Sequence, residues 1–460
     1  MRGRTNYTGG AKPVINGEIK KYEIAQGSTI NKGDFVELSW RHALSPLAGY
    51  RSSSVRYIKL SGGTHIVAVR ASSGYQWTLY AIDFVDRVPV IRSMFNPTVG
   101  SGSIESSKDL QLVALEDDRF AYSGVRSDSY LGVAVILMKY EAQTITYLSK
   151  HYYYDKNKSS SNPTYSPIAK CSGKRLVSTW GNYFMITSYD GDVLTVLTEE
   201  VISPTGGSVT NHFFYPIPGQ QDKFLCGKNH EDTASGEETF YLMELKSDNA
   251  IATLAHVKNE YGGSKPMPHN FAFVTDKYAI SVTGYYNGTS YGQYSSNRFR
   301  VYTCTSSTIA RTSETYTEKL AGMPSSREVL SGGGAVSSLG NGYFVMLEGA
   351  NKDNGTIYLT LGYISNTGGV EIKDVIEIKA SGFYGGGFIL VDKDGECYYI
   401  EDNHKKSDTS YMRFKVVNNG HIELEQDKVF IKEYMKRAEG FANQSGTGGD
   451  TIEIYVPKAK

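Results

Sequence analysis

The sequence predicts an all-β fold: a ring of about seven four-stranded blades, a β-propeller, inserted in a small β module formed by the N- and C-terminal segments. Three observations predict it. Short strands recur along the chain with almost no helical 3.6-residue periodicity. Gly-, Asn- and Asp-rich hairpins punctuate them in a repeat of about 54 residues, in the range of propeller blades. The two ends read as halves of one module, which requires the intervening chain to return to its origin, as a closed ring does.

The module is expected at residues 11–45 and 433–460. Its first half is the turn Gly27-Ser28-Thr29-Ile30-Asn31-Lys32-Gly33-Asp34 and a strand from Phe35 and Val36 to Leu38, with alternating apolar positions. Its second half runs from Ser445-Gly446-Thr447-Gly448-Gly449-Asp450 into the strand Thr451-Ile452-Glu453-Ile454-Tyr455-Val456-Pro457. Phe35, Val36, Ile452 and Ile454 are expected to share one small core.

The propeller is expected at residues 46–432, with blades near 46–105, 106–158, 159–207, 208–262, 263–332, 333–380 and 381–432. Each is anchored by a strand rich in aromatic and aliphatic residues, such as His65-Ile66-Val67-Ala68-Val69 or Gly387-Phe388-Ile389-Leu390-Val391. The sixth is the clearest. There Asn341-Gly342 precedes Tyr343-Phe344-Val345-Met346-Leu347, and Asn366-Thr367-Gly368-Gly369 separates two further strands. Asn-Gly between apolar runs marks a hairpin because both residues tolerate the positive φ of a type I′ turn. Six or eight blades, a β-solenoid or two tandem β-sandwiches are the alternatives; a solenoid would repeat more regularly, and sandwich strands would not fall into fours.

Composition excludes several classes of function. The 460 residues carry 48 Lys+Arg against 48 Asp+Glu, so the surplus of positive charge that displaces counterions from duplex nucleic acid is missing. No apolar run approaches a membrane span, and Met1-Arg2-Gly3-Arg4-Thr5-Asn6 leads into no signal-peptide core, so synthesis in a bacterial cytoplasm without membrane insertion is the expectation. Cys171, Cys226, Cys304 and Cys397 are too far apart for a zinc motif and read as buried thiols.

Chemical motifs are sparse. Asp392-Lys393-Asp394-Gly395-Glu396 alternates carboxylates as a calcium loop does, but it lacks the distal glutamate and reads as a hairpin turn. His230-Glu231-Asp232 reads as a solvated loop, and Ser188-Tyr189-Asp190-Gly191-Asp192 as a structural turn. No metal site or cofactor is expected. Catalytic motifs are absent and the chain is expected not to be an enzyme, although in a propeller paired carboxylates come from different blades and spacing cannot reveal them. The aromatic segments are more suggestive: Tyr285, Tyr286, Tyr291 and Tyr294 stand among Gly, Asn and Ser, and Tyr152-Tyr153-Tyr154 precedes Tyr165. Tyrosine combines a rigid apolar face with a hydroxyl, so such segments suit the binding of a glycan or a protein.

The patterns Gly27-Ser28-x-Ile30-x-Lys32-Gly33-Asp34-x-Val36 and Gly440-x-Ala442-x-x-Ser445-Gly446-Thr447-x-Gly449-Asp450-x-Ile452-x-Ile454 resemble virion proteins of tailed bacteriophages of Firmicutes, especially clostridial-type phages. The resemblance is confined to the ends. It implies a small β module, similar to head-decoration domains, that docks to other virion proteins, and a propeller that recognises a host-surface glycan or protein, on the tail or its fibres. Capsid or neck decoration without receptor binding, and a glycan-degrading propeller, are the alternatives it leaves open. It places the mature protein on the virion surface.

Overall fold

A computed structural model describes residues 17–24, 29–32, 35–39, 42–44, 50–71, 77–97, 110–125, 132–154, 167–180, 183–202, 211–229, 237–260, 271–285, 296–316, 327–329, 336–350, 356–379, 387–403, 408–417, 420–424, 428–431, 440–442, 444–447 and 450–457. Every regular element among them is a strand. The chain divides into two compact units: Met1–Ala43 with Leu424–Lys460, and Leu44–Glu423.

The terminal unit is a closed barrel of five strands in the order Gly17–Ile24, Lys428–Ile431, Phe35–Ser39, Gly440–Ala442, Thr451–Pro457. Closure leaves no free edge to pair with another chain. Its first and last strands run antiparallel from Gly17↔Pro457 to Glu23↔Thr451. Ile24, Ile30, Ala442, Ile452 and Ile454 form its core.

The Ser-Gly-Thr…Asp motif of the C-terminal half is a turn lock. The Asp450 carboxylate accepts the Thr447 N–H at 2.7 Å, the Asp450 N–H donates to the Thr447 carbonyl at 2.9 Å, and the Asp450 carbonyl accepts the Ile24 N–H at 2.8 Å. The Lys32 N–H donates to Ser445 Oγ at 2.8 Å, joining the two halves of the motif. Gly446 is required by close approach, since a Cβ there would lie 2.8 Å from Ile24 Cδ1 and 3.0 Å from Ile452 Cγ2.

Ile452 and Ile454 share the core as expected. The strand carrying Phe35 and Val36 belongs to the same barrel, separated from the last strand by Gly440–Ala442, with Phe35↔Phe441 and Phe441↔Tyr455 as successive pairs. The side chains of Phe35 and Val36, and all of Gly33, Asp34 and Gly449, lie outside the described residues. The strand that pairs along the whole C-terminal one, Gly17–Ile24, was not singled out by the sequence pattern.

The second unit is a seven-bladed β-propeller. Its strands fall into seven antiparallel meanders, spanning residues 50–95, 111–154, 168–202, 211–260, 271–316, 336–379 and 387–424. In the sixth, Arg327–Val329 also pairs with Tyr343–Ala350 beyond the first strand, Val336–Gly340. The Asn341-Gly342 turn has φ of +52° and +84°, the two left-handed residues that a type I′ hairpin demands. The first six blades each have a register shift between their third and fourth strands, for instance at Ala81/Ile82, Leu137/Met138 and Val301/Tyr302. Such bulges increase local twist where the sheet approaches its outer edge.

A four-stranded sheet with two apolar faces cannot bury both by itself. Here each apolar cluster is shared by two neighbours: the first and second blades (Leu79 with Phe120), second and third (Val135 with Leu176), third and fourth (Phe184 with Phe214), fourth and fifth (Phe240 with Tyr302), and fifth and sixth (Val301 with Met346). The seventh packs against the first through Phe388, Leu390, Tyr398 and Ile400 against Val55, Val67 and Tyr80. Between the sixth and seventh, the Ile422 N–H donates to the Asp374 carboxylate at 2.7 Å.

Ile454→Ala removes a fully buried side chain from the core of the barrel, and a loss of about 2–5 kcal/mol is expected. Hydrogen exchange should show it as faster exchange across Thr451–Pro457 and Gly17–Ile24, while the blade strands keep their protection.

Candidate functional site

The first strands of the blades converge on the axis of the ring, where those of successive blades approach one another. A first strand has one paired edge; its other edge exposes backbone N–H and C=O groups. Gln111, in the first strand of the second blade, reaches across this space. Its Oε1 accepts the Ile168 N–H of the third blade at 3.4 Å and the Phe214 N–H of the fourth at 3.3 Å, and its Nε2 donates to the Phe214 carbonyl. A carboxamide offers the donor and acceptor of a peptide group, so Gln111 pairs with Phe214 much as a further strand would. Tyr57 of the first blade likewise skips the seventh and shares a 2.9 Å hydrogen bond with Ser337 Oγ of the sixth, and burial raises its pKa. These two side-chain bridges join blades that are not neighbours.

The turns joining first to second and third to fourth strands lie at one end of the ring, and there polar contacts stitch each blade to the next. Asp118 accepts Ser61 Oγ and the Gly62 N–H at 2.8 and 2.9 Å; Arg119 pairs with Asp192 at 2.9 Å; Asp222 accepts the Ser172 N–H at 3.0 Å. Lys223 donates to the Ser306 carbonyl at 2.5 Å, and the Gly342 N–H to the Val274 carbonyl at 3.1 Å. Arg87 closes the circuit on Glu396 at 2.7 Å. Glu116 shows how strongly such a contact can bind a carboxylate: burial alone would raise its pKa, but hydrogen bonds from Lys170 and Tyr189 outweigh that and hold it at about 2.

The connections between second and third strands leave from the opposite end of the ring. Tyr285 closes the strand Tyr278–Tyr285 opposite Ser296, so the segment carrying Tyr286, Tyr291 and Tyr294 is the connection of the fifth blade at this end. Those three residues, and the side chain of Tyr285, lie outside the described residues, as do Tyr165 and His230-Glu231-Asp232. Tyr152-Tyr153-Tyr154 belongs to the strand Thr144–Tyr154 instead of a loop. Tyr152 packs toward the first blade and Tyr153 toward the third, where its hydroxyl shares a 2.7 Å hydrogen bond with Thr187.

Asp392 is a turn residue. One carboxylate oxygen accepts the Asp394 and Glu396 N–H groups, both at 2.9 Å, and the other accepts the Tyr398 hydroxyl at 3.1 Å. Among the described residues no group of three or more His, Cys, Asp or Glu is placed to hold a metal. Glu348 is wholly buried on the strand face it shares with Phe344 and Met346, and it accepts the Thr360 hydroxyl. Arg300, 1% exposed, pairs with Glu314 at 2.7 Å. Neither was anticipated, because a charged residue inside a strand reads in sequence as an outward-facing one.

Neither the protein-family models nor the curated proteins match this chain. Solved structures do. One is a candidate 6-phosphogluconolactonase of Bacteroides fragilis, 12% identical, covering 86% of this chain and 98% of its own, with a TM-score of 0.47. Another is an α-L-arabinofuranosidase of Fusarium graminearum, 12% identical, covering 85% and 99%, with a TM-score of 0.44. A third is the extracellular domain of a candidate hybrid two-component system of B. thetaiotaomicron, 12% identical, covering 85% and 47%, with a TM-score of 0.40. Similarity at this level assigns no activity. Two of these structures bear the names of enzymes; the expectation that the chain is not an enzyme is withdrawn, because in a ring of blades catalytic groups come from different blades and a missing linear motif is no ground for it.

Two outcomes are expected. Gln111→Leu leaves the Phe214 edge without its partner and costs about 1–3 kcal/mol, with faster exchange of the Phe214 and Ile168 amides as the check. Burial lifts the thiols of Cys171 and Cys397 to about 12 and that of Cys304 to about 11, so thiol titration of the native protein at pH 8 should give no reaction until denaturant is added.

Proposed function

We propose that the chain is a surface-recognition protein of a tailed-phage particle, its propeller engaging a host-surface glycan and its terminal barrel carrying the attachment to other virion proteins. The observation that carries the recognition half is the engagement of the turn end in bonds between blades. At the turn end polar side chains are engaged in blade-to-blade bonds, and Gln111 and Tyr57 join blades that are not neighbours. Recognition is therefore assigned to the opposite end, where the connections are longest. Long connections on a rigid scaffold are where binding residues concentrate. Tyr285, Tyr286, Tyr291 and Tyr294 are the proposed contacts, each able to stack a sugar ring and donate a hydroxyl. The virion setting is supported by the resemblance of the two ends to phage proteins.

A glycan-degrading propeller is the second reading. It takes the same ligand class, and under it the enzyme names among the structural neighbours would reflect more than fold.

The test uses the full chain, purified wall polysaccharide from clostridial-type cells, and a variant in which residues 286–295 are replaced by Asn-Gly. The Tyr285↔Ser296 pair is in register for such a two-residue turn, so the blade should close. Binding by the parent and a loss of at least tenfold in the variant support the proposal; equal binding by both removes the tyrosine segment from it, and no binding to any wall fraction overturns it. Release of reducing ends would favour the second reading.

A further inference from the structure

The seam that closes the ring joins residues more than 300 positions apart, such as Arg87 with Glu396 and Lys59 with Asp392. Within it lies His65, the first residue of the strand His65–Ala71 and 2% exposed. Its ring stands edge-on to Phe84 at 5.4 Å between centroids, and Phe84 in turn lies 4.3 Å from Tyr398 of the seventh blade. His65 hydrogen-bonds the Val391 carbonyl. Its Nδ1 is buried with no hydrogen-bond partner.

Charged groups face His65 from each side. Lys59 pairs with it on the neighbouring strand and donates to the Asp392 carbonyl at 2.8 Å; Asp83 lies on the third strand and Asp392 on the seventh blade, with the Arg87–Glu396 pair at the rim. Both nearby carboxylates already have donors. Asp392 has the Asp394 and Glu396 amides and the Tyr398 hydroxyl; Asp83 has the Thr64 hydroxyl, Arg92 at 3.3 Å and the Tyr140 hydroxyl at 3.2 Å. A proton added at Nδ1 would thus sit in an apolar seam, beside an ammonium and without an acceptor.

We propose that protonation of His65 is an acid trigger that loosens the seam between the seventh and first blades and so opens the ring. Opening lets Nδ1 reach water, so the proton binds the open form in preference to the closed one. Burial first, and then the Lys59 charge, lowers the histidine pKa from 6.5 to about 4 in the closed ring. Above pH 6.5 neither form carries the proton and the seam is unaffected. Between 6.5 and 4 the open form takes it up and the closed form does not, so the opening constant rises up to about tenfold per pH unit as the pH falls. Below 4 both forms carry it and the effect levels off.

Hydrogen exchange of the full chain at pH 6.5 and 4.5, corrected for intrinsic rates, tests this directly. In the wild type the opening constant read from residues 65–71 and 387–391 should rise about 40-fold, while residues 175–180 and 223–229, in the seam between third and fourth blades, change far less. His65→Gln keeps a donor for Val391 but takes no proton, and should abolish the difference. An equal acid response in His65→Gln, or equal opening at both seams, overturns the proposal. Should His65→Gln not fold, the wild-type ring is titrated by NMR: a midpoint near 4 supports the trigger, and one near 6.5 overturns it.

Discussion

Everything in the propeller depends on each sheet finding apolar partners on both faces. The seam between the seventh and first blades buries ten side chains, from Val55 to Tyr411. At about 2 kcal/mol for each buried aliphatic or aromatic residue, the seam contributes on the order of 20 kcal/mol, an upper figure because the unfolded chain is itself partly collapsed. A rim ion pair such as Arg87–Glu396 adds about 0–1 kcal/mol. Burial therefore holds the ring shut, and polar contacts have a different task. Apolar faces slide over one another at little cost. Asp118 accepting two donors from Ser61 and Gly62, or Asp222 accepting the amide and hydroxyl of Ser172, is satisfied in one register only.

The same logic applies to the axis. Ring formation solves the problem of the blade faces and leaves the inner edge of every first strand unpaired. Water can satisfy such an edge where it reaches it. Gln111 replaces water with a group of fixed length and direction, joining three blades through one side chain, and the Tyr57–Ser337 bond joins two more. A side chain that skips a blade sets the distance between blades that are not neighbours. This constrains the ring in a direction the seams do not.

Much of this was legible in the sequence, for a physical reason: strand faces are written at period two, and type I′ turns need residues that accept positive φ. Asn341-Gly342 and the alternating runs that follow announced the sixth blade. The same code also sets limits. Asp86-Arg87 and Ala142-Gln143 adopt the same left-handed pair without glycine or asparagine, so those hairpins carry no mark. Gly17–Ile24 pairs along the full C-terminal strand, yet its Glu and Lys residues hide any alternation in the sequence. Gln111 is equally silent: its role follows from the path of the chain, since the backbone it binds lies 103 residues away. Tyr152 and Tyr153 show the opposite error, in which a strand that packs both faces resembles a binding loop.

The two ends of the ring illustrate how structure narrows function without naming it. A polar residue at the turn end that is already hydrogen-bonded to the next blade can recognise a ligand only by giving up that bond, which costs about 1–3 kcal/mol for each buried group left unpaired. The opposite end is where the connections between second and third strands leave the paired strands. A missing catalytic motif carries little weight in such an arrangement. Groups drawn from several connections around one axis can converge in space from any order in the chain, so chemistry at this end would leave no linear signature.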